Sequence, residues 1–422
     1  MLQEHSIWHV VLRKYFRPCV LATAPGLLLV GSPAATGTND RNVPTAGATT
    51  HSRQRCWRSL TRNIVVFAAI ALLPGTSTGA QAQQFIPDVI ISSTTPANGD
   101  LNPYGVAFVP PNFPTGGKIA TGDILISNFN DGTNTQGTGT TIVKLTPNGV
   151  ISPPGQATTF FTSSAPAIGL TTALGVLSGG FVLVGNLPNS NGKLSPGSLQ
   201  LIDRNGRLVQ TIVNNLIDGP WDLTIDDHTN RATVFVSNVL NGTVTRLKLS
   251  ISSKAVTVDS ATVIAKGYTV EPNAAALILG PTGLAHDTAT DILYVASTAD
   301  NAIFAVPNAA TRTGPPPGSG TGAIIFQDKK HLRGPLALVF APNGDLITSN
   351  GDAVNGDPTQ PSEIVEFTKA GRFVGQFNVD AGQGGAFGVG AASTGFDTVR
   401  LAAVDDNAND IIVFTQNAVA GN

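Results

Sequence analysis

A chain of 422 residues with a formal net charge of −2 and only 12% charged residues lacks the basic surface that phosphate neutralisation needs, which argues against a nucleic-acid partner. Its 46 glycines and 28 prolines cut it into short segments, while 41% hydrophobic residues suffice for a core and exclude wholesale disorder. The combination favours an all-β protein over a helical one.

The charge is uneven along the chain. Residues 1–82 carry eight Lys/Arg against Glu4 and Asp40; the remainder carries 17 Lys/Arg against 25 Asp/Glu. Arg58 and Arg62 precede ten apolar residues (64–73, IVVFAAIALL), followed by PGTSTG and Ala80-Gln81-Ala82. A positive flank, a short apolar run and an A-x-A site make a secretory signal over 58–82, with cleavage expected after Ala82. Ten apolar residues fall short of the roughly 20 that span a bilayer, so no membrane anchor is expected after cleavage. The expected location is therefore the periplasm or the exterior. Residues 1–57 are read as an N-terminal extension outside the fold, and 83–422 as one domain. Cys19 and Cys56 both precede the cut, which leaves the mature chain without a disulfide.

Beyond residue 83 one phrase recurs six times. It opens with Asn102-Pro103-Tyr104-Gly105-Val106, Ala165-Pro166-Ala167-Ile168-Gly169, Gly219-Pro220-Trp221-Asp222-Leu223, Gly280-Pro281-Thr282-Gly283-Leu284, Gly334-Pro335-Leu336-Ala337-Leu338 and Gly385-Ala386-Phe387-Gly388-Val389. A second strand follows each: DILIS (123–127), FVLVG (181–185), TVFVS (233–237), ILYVA (292–296), DLITS (345–349) and RLAAV (400–404). Third strands read TIVKL (141–145), SLQLI (198–202), TVTRL (243–247), AIFAV (302–306), EIVEF (363–367) and IIVFT (411–415), with the alternation of half-buried strands. Pro147-Asn148-Gly149, Arg204-Asn205-Gly206 and Lys369-Ala370-Gly371 supply turns into fourth strands.

The sixth unit runs out of chain after its third strand, whereas Asp88-Val89-Ile90-Ile91 stands alone ahead of the first. The economical solution is a six-bladed β-propeller of four-stranded antiparallel blades, its ring closed by the N-terminal strand of the mature chain. Such closure removes long exposed edges. The GPWDL, GPTGL and GPLAL openings followed by VFVSN- or LYVAS-type strands resemble NHL-repeat and gluconolactonase-like (senescence-marker-protein-like) six-bladed propellers over residues 85–417. That superfamily includes lactonases, lyases and pure binding modules.

Candidate site residues come from two columns of the repeat. Asn128, Asn186, Asn238, Thr298, Asn350 and Asp406 follow the second strands. They read either as a ring of oxygens for Ca²⁺ or as Asx turns that end strands. The other column holds Gly105, Asp222, Gly283, Ala337 and Gly388, with Ile168 or Gly169 in the second unit. Asp222, beside Trp221 and flanked by Tyr104 and Asp405, reads as a ligand or metal group at the channel mouth, or as an acid capping backbone N–H groups. The resemblance implies a divalent ion held by a glutamate in the first lead-in, asparagines of later blades and an acid. Asn186, Asn238, Asp222 and Asp406 match in type, but Asn102-Pro103-Tyr104 carries no glutamate.

His228, His286 and His331 read as solvated turn residues rather than a zinc site. Glu363 and Glu366, on one third strand, read as a solvated face. The long loops, residues 127–140, 185–196 and 349–361, place the expected site on their side of the disc, with a small molecule, glycan or protein as ligand and a monomer as the expected state. The leading expectation is a non-catalytic binding module; the alternative is a divalent-metal hydrolase of the lactonase type in the central funnel.

Overall fold

The structure, a computed structural model, describes residues 87–146, 158–165, 168–351, 363–382, 384–393 and 398–417. The 1–57 extension, the 58–82 signal, the Pro147-Asn148-Gly149 turn and Pro166-Ala167 lie outside them. Six four-stranded antiparallel sheets form the blades. Their inner strands are Leu101–Phe108, Leu170–Leu177, Pro220–Asp227, Pro281–Asp287, Pro335–Phe340 and Ala386–Ser393. Each lies against the inner strands before and after it, and the sixth lies against the first, which closes the ring.

Closure uses the expected element. Asp88–Ser93 is the outer strand of the sixth blade, antiparallel to Asp410–Asn417, with Asp88 opposite Thr415 and Ser93 opposite Asp410. Thr94 N and Oγ1 both donate to the carbonyl of Asn409 at 2.9 Å and lock the seam.

The core lies between blades, not within them. Val234 and Val236 pack toward the second blade, against Leu183 and Leu201, while Phe235 packs toward the fourth, against Leu293 and Val295. The second and third strands are therefore buried on both faces, and VFV and FVLVG run apolar without interruption. The half-buried alternation expected from sequence is corrected accordingly. Each blade covers its neighbour, leaving no wet face.

The second blade begins later than its sequence suggests. Gly169 N bonds Gly139 O, and Gly169 O accepts Leu187 N at 2.8 Å, as Gly219 O accepts Val239 N at 2.9 Å and Gly334 O accepts Gly351 N at 3.0 Å. Gly169 (φ 60), Gly219 (φ 71) and Gly334 (φ 67) share a left-handed backbone at this turn, one that glycine adopts without strain. Asn102 (φ 60) takes that conformation in the first blade. Gly169 is thus the lead-in residue, and the position expected at Ile168 or Gly169 falls at Thr172.

Register also shifts the asparagine column. The residues opposite the position just after the lead-in are Asn128, Asn186, Asn238, Ser297, Asn350 and Asp405. Thr298 and Asp406 sit one step beyond, where their N–H groups bond Gly280 O and Gly385 O. The fourth and sixth blades reach the turn with Ser297 and Asp405, so matching by residue type pointed one place late.

Candidate functional site

Every inner strand carries a bulge near its start, after Pro103, Leu170, Pro220, Pro281, Pro335 and Ala386, where pairing to the second strand lapses before resuming at Val106, Leu174, Leu223, Leu284, Leu338 and Val389. The bulge turns two side chains out of the ladder, and three in the second blade. One is large in several blades. Tyr104, Trp221 and Phe387, with Phe129 from the first blade, meet as a plug: Tyr104 stacks on Phe387 at 4.8 Å and meets Trp221 edge-on at 5.7 Å, and Trp221 meets Phe129 at 5.5 Å. Ile278 and Leu336 join the same buried cluster.

Ile278 arrives on an element that the sequence did not announce. The chain between the third and fourth blades forms a hairpin, Glu271–Asn273 against Leu277–Leu279. Its tip is built by Asn273, whose Oδ1 accepts Ala275 N at 2.8 Å and Ala276 N at 3.0 Å. Gln136, in the long loop of the first blade, donates to Ala275 O, so the hairpin reaches across the ring. The long-loop end of the channel is thereby filled, and only a void of about 10 Å³ remains beside Trp221 and Phe387.

Beneath the plug the channel widens to a cavity of about 270 Å³. Its wall runs along the later parts of the inner strands, which become half-exposed toward their C-terminal ends, as at Thr224, Val339 and Ala391. The open end therefore faces the short first-to-second turns. This reverses the placement expected from loop length: side-chain bulk at the bulge, not loop length, decides which mouth is closed.

Asp222 lies in this wall together with Tyr104. In the fourth blade Gly283 holds the matching position, where an added Cβ would stand 2.5 Å from Ala337 C. Asp222 Oδ1 accepts Leu223 N at 2.8 Å, and Oδ2 accepts Leu284 N of the next blade at 3.1 Å. Burial pushes the Asp222 carboxyl well above the usual carboxylate range, against the pull of those two donors. Trp221 and Tyr104, 2% and 3% exposed, belong to the plug rather than to an open mouth.

The other candidates are not drawn to the cavity. Asn238 Oδ1 accepts Asp218 N and its Nδ2 reaches Leu216 O; Asn350 Oδ1 accepts Arg333 N and its Nδ2 reaches His331 O. Asn186 exchanges bonds with Ser198, and Asn128 Nδ2 donates to Thr94 O and Thr141 Oγ1. Each pins a loop to its own blade. Asp405 Oδ1 accepts Asn407 N in a tight turn, and Asp406 donates its N–H to Gly385.

Ca²⁺ takes six to eight oxygens. Three of the four asparagines already spend their amide oxygen on a backbone N–H, and among the described residues no three His, Cys, Asp or Glu side chains gather in metal-binding reach. The candidate donors do not fit a divalent ion. The SNGDAVNGDP stretch with Asp352, Asn355 and Asp357 lies almost wholly outside the described residues.

Two further readings change. His286 is buried, its side chain 4% exposed, with Nε2 3.2 Å from Asp291 Oδ1; His331 bonds Asp328 and stacks on Phe373 at 3.8 Å. Only His228 is the solvated residue expected. Glu363 is fully buried and accepts Asn350 Nδ2, while Glu366 is half-buried beside Asn343. Three positions apart on a strand, they point to opposite faces, so they do not form a pair.

No family model matches the sequence, and no curated protein matches it. Solved structures similar in fold include the alpha-L-arabinofuranosidase of Fusarium graminearum in complex with arabinobiose (10% identity, TM-score 0.50, covering 78% of this chain and 98% of that one). Regucalcin, a calcium-binding protein from Agrobacterium tumefaciens, matches at 14% identity and TM-score 0.45, over 77% of this chain and 94% of that one. A gluconolactonase from Xanthomonas campestris matches at 12% identity and TM-score 0.45, over 79% and 97%. At such identities the likeness is one of fold.

Proposed function

We propose that this propeller is an exported, non-catalytic binding module that takes a small molecule into the channel cavity from the short-turn face. The observation that carries the reading is the cavity itself: about 270 Å³, blocked at one end by the Tyr104–Trp221–Phe387 plug and open at the other. Small-molecule sites are concave, and Leu174, Leu223, Val339 and Val389 beside Thr172, Thr224, His286 and a single carboxylate offer a ligand both apolar and polar contacts. Export rests on the 58–82 segment of the sequence.

The lactonase-type alternative needs an ion and an activated water. The asparagines and acids that would hold the ion are committed to loops, so the donor set speaks against it. A gluconolactonase is among the proteins of similar fold, which makes a lactone the right substrate for the test.

The test is a thermal-shift screen of compact ligands on the mature protein and on Thr224→Trp, which fills the open end. The binding reading expects ligands that raise the wild-type melting temperature and lose their effect in the variant. Hydrolysis of gluconolactone that EDTA abolishes would replace it with the hydrolase.

A further inference from the structure

Among the residues that line the cavity, Asp222 is the sole carboxylate, and no lysine or arginine faces it; Tyr104 and His286 are the other titratable groups. A carboxylate offers about four lone-pair positions. Leu223 N and Leu284 N take one on each oxygen. The rest are unclaimed by any cationic side chain among the described residues. A buried carboxylate without a counter-charge is costly, and partners that neutralise it gain what the protein alone forgoes. Around it Leu174, Leu223, Val339 and Val389 set apolar patches in a wall whose exposed surface is mostly polar. Those patches take a short alkyl chain. A cationic head and an apolar tail are the complement of this surface.

We infer that the cavity binds a small organic cation, a primary ammonium on a short alkyl chain, with Asp222 as its counter-ion and the apolar side chains of the wall beside its tail. This rests on the cavity being the binding site. The ammonium binds with release to solvent of the proton that the buried carboxyl otherwise holds, donates N–H bonds to the lone pairs of Asp222 and remains a positive charge in a pocket that supplies no other. An anion supplies no counter-charge and leaves the carboxyl protonated.

Three probes of equal length separate charge from shape: n-butylammonium, 1-butanol and butyrate, titrated calorimetrically into the mature protein. The expected result is butylammonium binding at least tenfold tighter than butanol, with no butyrate binding. In Asp222→Asn, which removes the charge and keeps an acceptor for one of the two backbone donors, the preference for the cation falls to less than threefold while butanol still binds. In Thr224→Trp all binding is lost. Equal wild-type affinity for butanol and butylammonium overturns the cation assignment but leaves the cavity as the site. A tenfold preference that survives in Asp222→Asn overturns the role of Asp222. Butylammonium binding that persists undiminished in Thr224→Trp overturns the cavity itself.

Discussion

Ser237 Oγ donates to the carbonyl of Thr282 at 2.7 Å while accepting the N–H of Asp222 at 3.0 Å, so one hydroxyl serves the inner strands of two blades. Ser127 does the same between the first and second blades, with Gly105 N and Thr171 O, and Ser349 between the fifth and sixth, with Ala337 N and Phe387 O. The even blades have Gly185, Ala296 and Val404 at that position. In the second and fourth blades the hydroxyl comes from elsewhere: Thr171 and Thr172 reach Pro220 O and Trp221 O, and Thr282 and Thr298 both reach Pro335 O. Ser237→Ala orphans a buried donor and a buried acceptor and is expected to cost about 1–3 kcal/mol in urea unfolding. Gly185→Ser, which looks like restoring the motif, is expected to destabilise as well, because its Cβ meets Ala173 Cβ at 2.6 Å and Thr171 Oγ1 at 2.9 Å.

Gly283→Ala tests how closely the inner strands approach. The new Cβ would stand 2.5 Å from the backbone of Ala337 and Leu338, with nothing flexible to yield. A loss of about 1–3 kcal/mol is expected from overpacking. Unchanged stability would mean that the strands stand farther apart than described.

Trp221 is the only tryptophan after residue 82 and reports on the plug directly. At 2% exposure within a ring of aromatics, its emission in the mature protein is expected to be blue-shifted and resistant to acrylamide quenching. A solvent-like emission would place it at an open mouth instead. Trp221→Ala is expected to cost about 3–5 kcal/mol, the usual range for emptying such a site.

The acids of the sixth blade set a pH dependence. Asp405 and Asp410 are each pushed up to about 6, first by burial and next by the nearby Asp380; Asp410 adds to the effect on Asp405. A carboxyl that holds its proton more tightly when folded lends stability that is complete below its ordinary value of 3.8 and is lost as pH rises through about 6. Melting temperature is therefore expected to fall between pH 4.5 and pH 7.5. Asp410→Asn is expected to flatten that slope. The carboxyls held low, such as Asp287 beside Lys369, act in the opposite sense and only in more acidic solution.

How far the sequence could be read follows from what each feature depends on. Second and third strands were legible because apolar runs such as Phe181–Asn186 are dictated by burial alone. Closure was legible because a strand without a blade and a blade without a strand match. The second blade misled because Pro166 imitates a Gly-Pro lead-in, whereas the turn obeys Gly169. The hairpin over the channel was missed because Asn273-Ala274-Ala275-Ala276 carries no glycine or proline to mark its tip. Nor could the blocked mouth be seen: Tyr104, Trp221 and Phe387 occupy one repeat position, but their convergence is a property of the ring.

The seam between Thr94 and Asn409 joins residues 315 apart in the chain. During synthesis the first strand of the fold must therefore wait, unpartnered, until almost every later residue has been made. Until then the protein carries two unfilled sheet margins, its own and that of the sixth blade, each able to recruit a stranger. If the chain is exported as proposed, a propeller built this way gains from crossing the membrane unfolded and joining its ends on the far side.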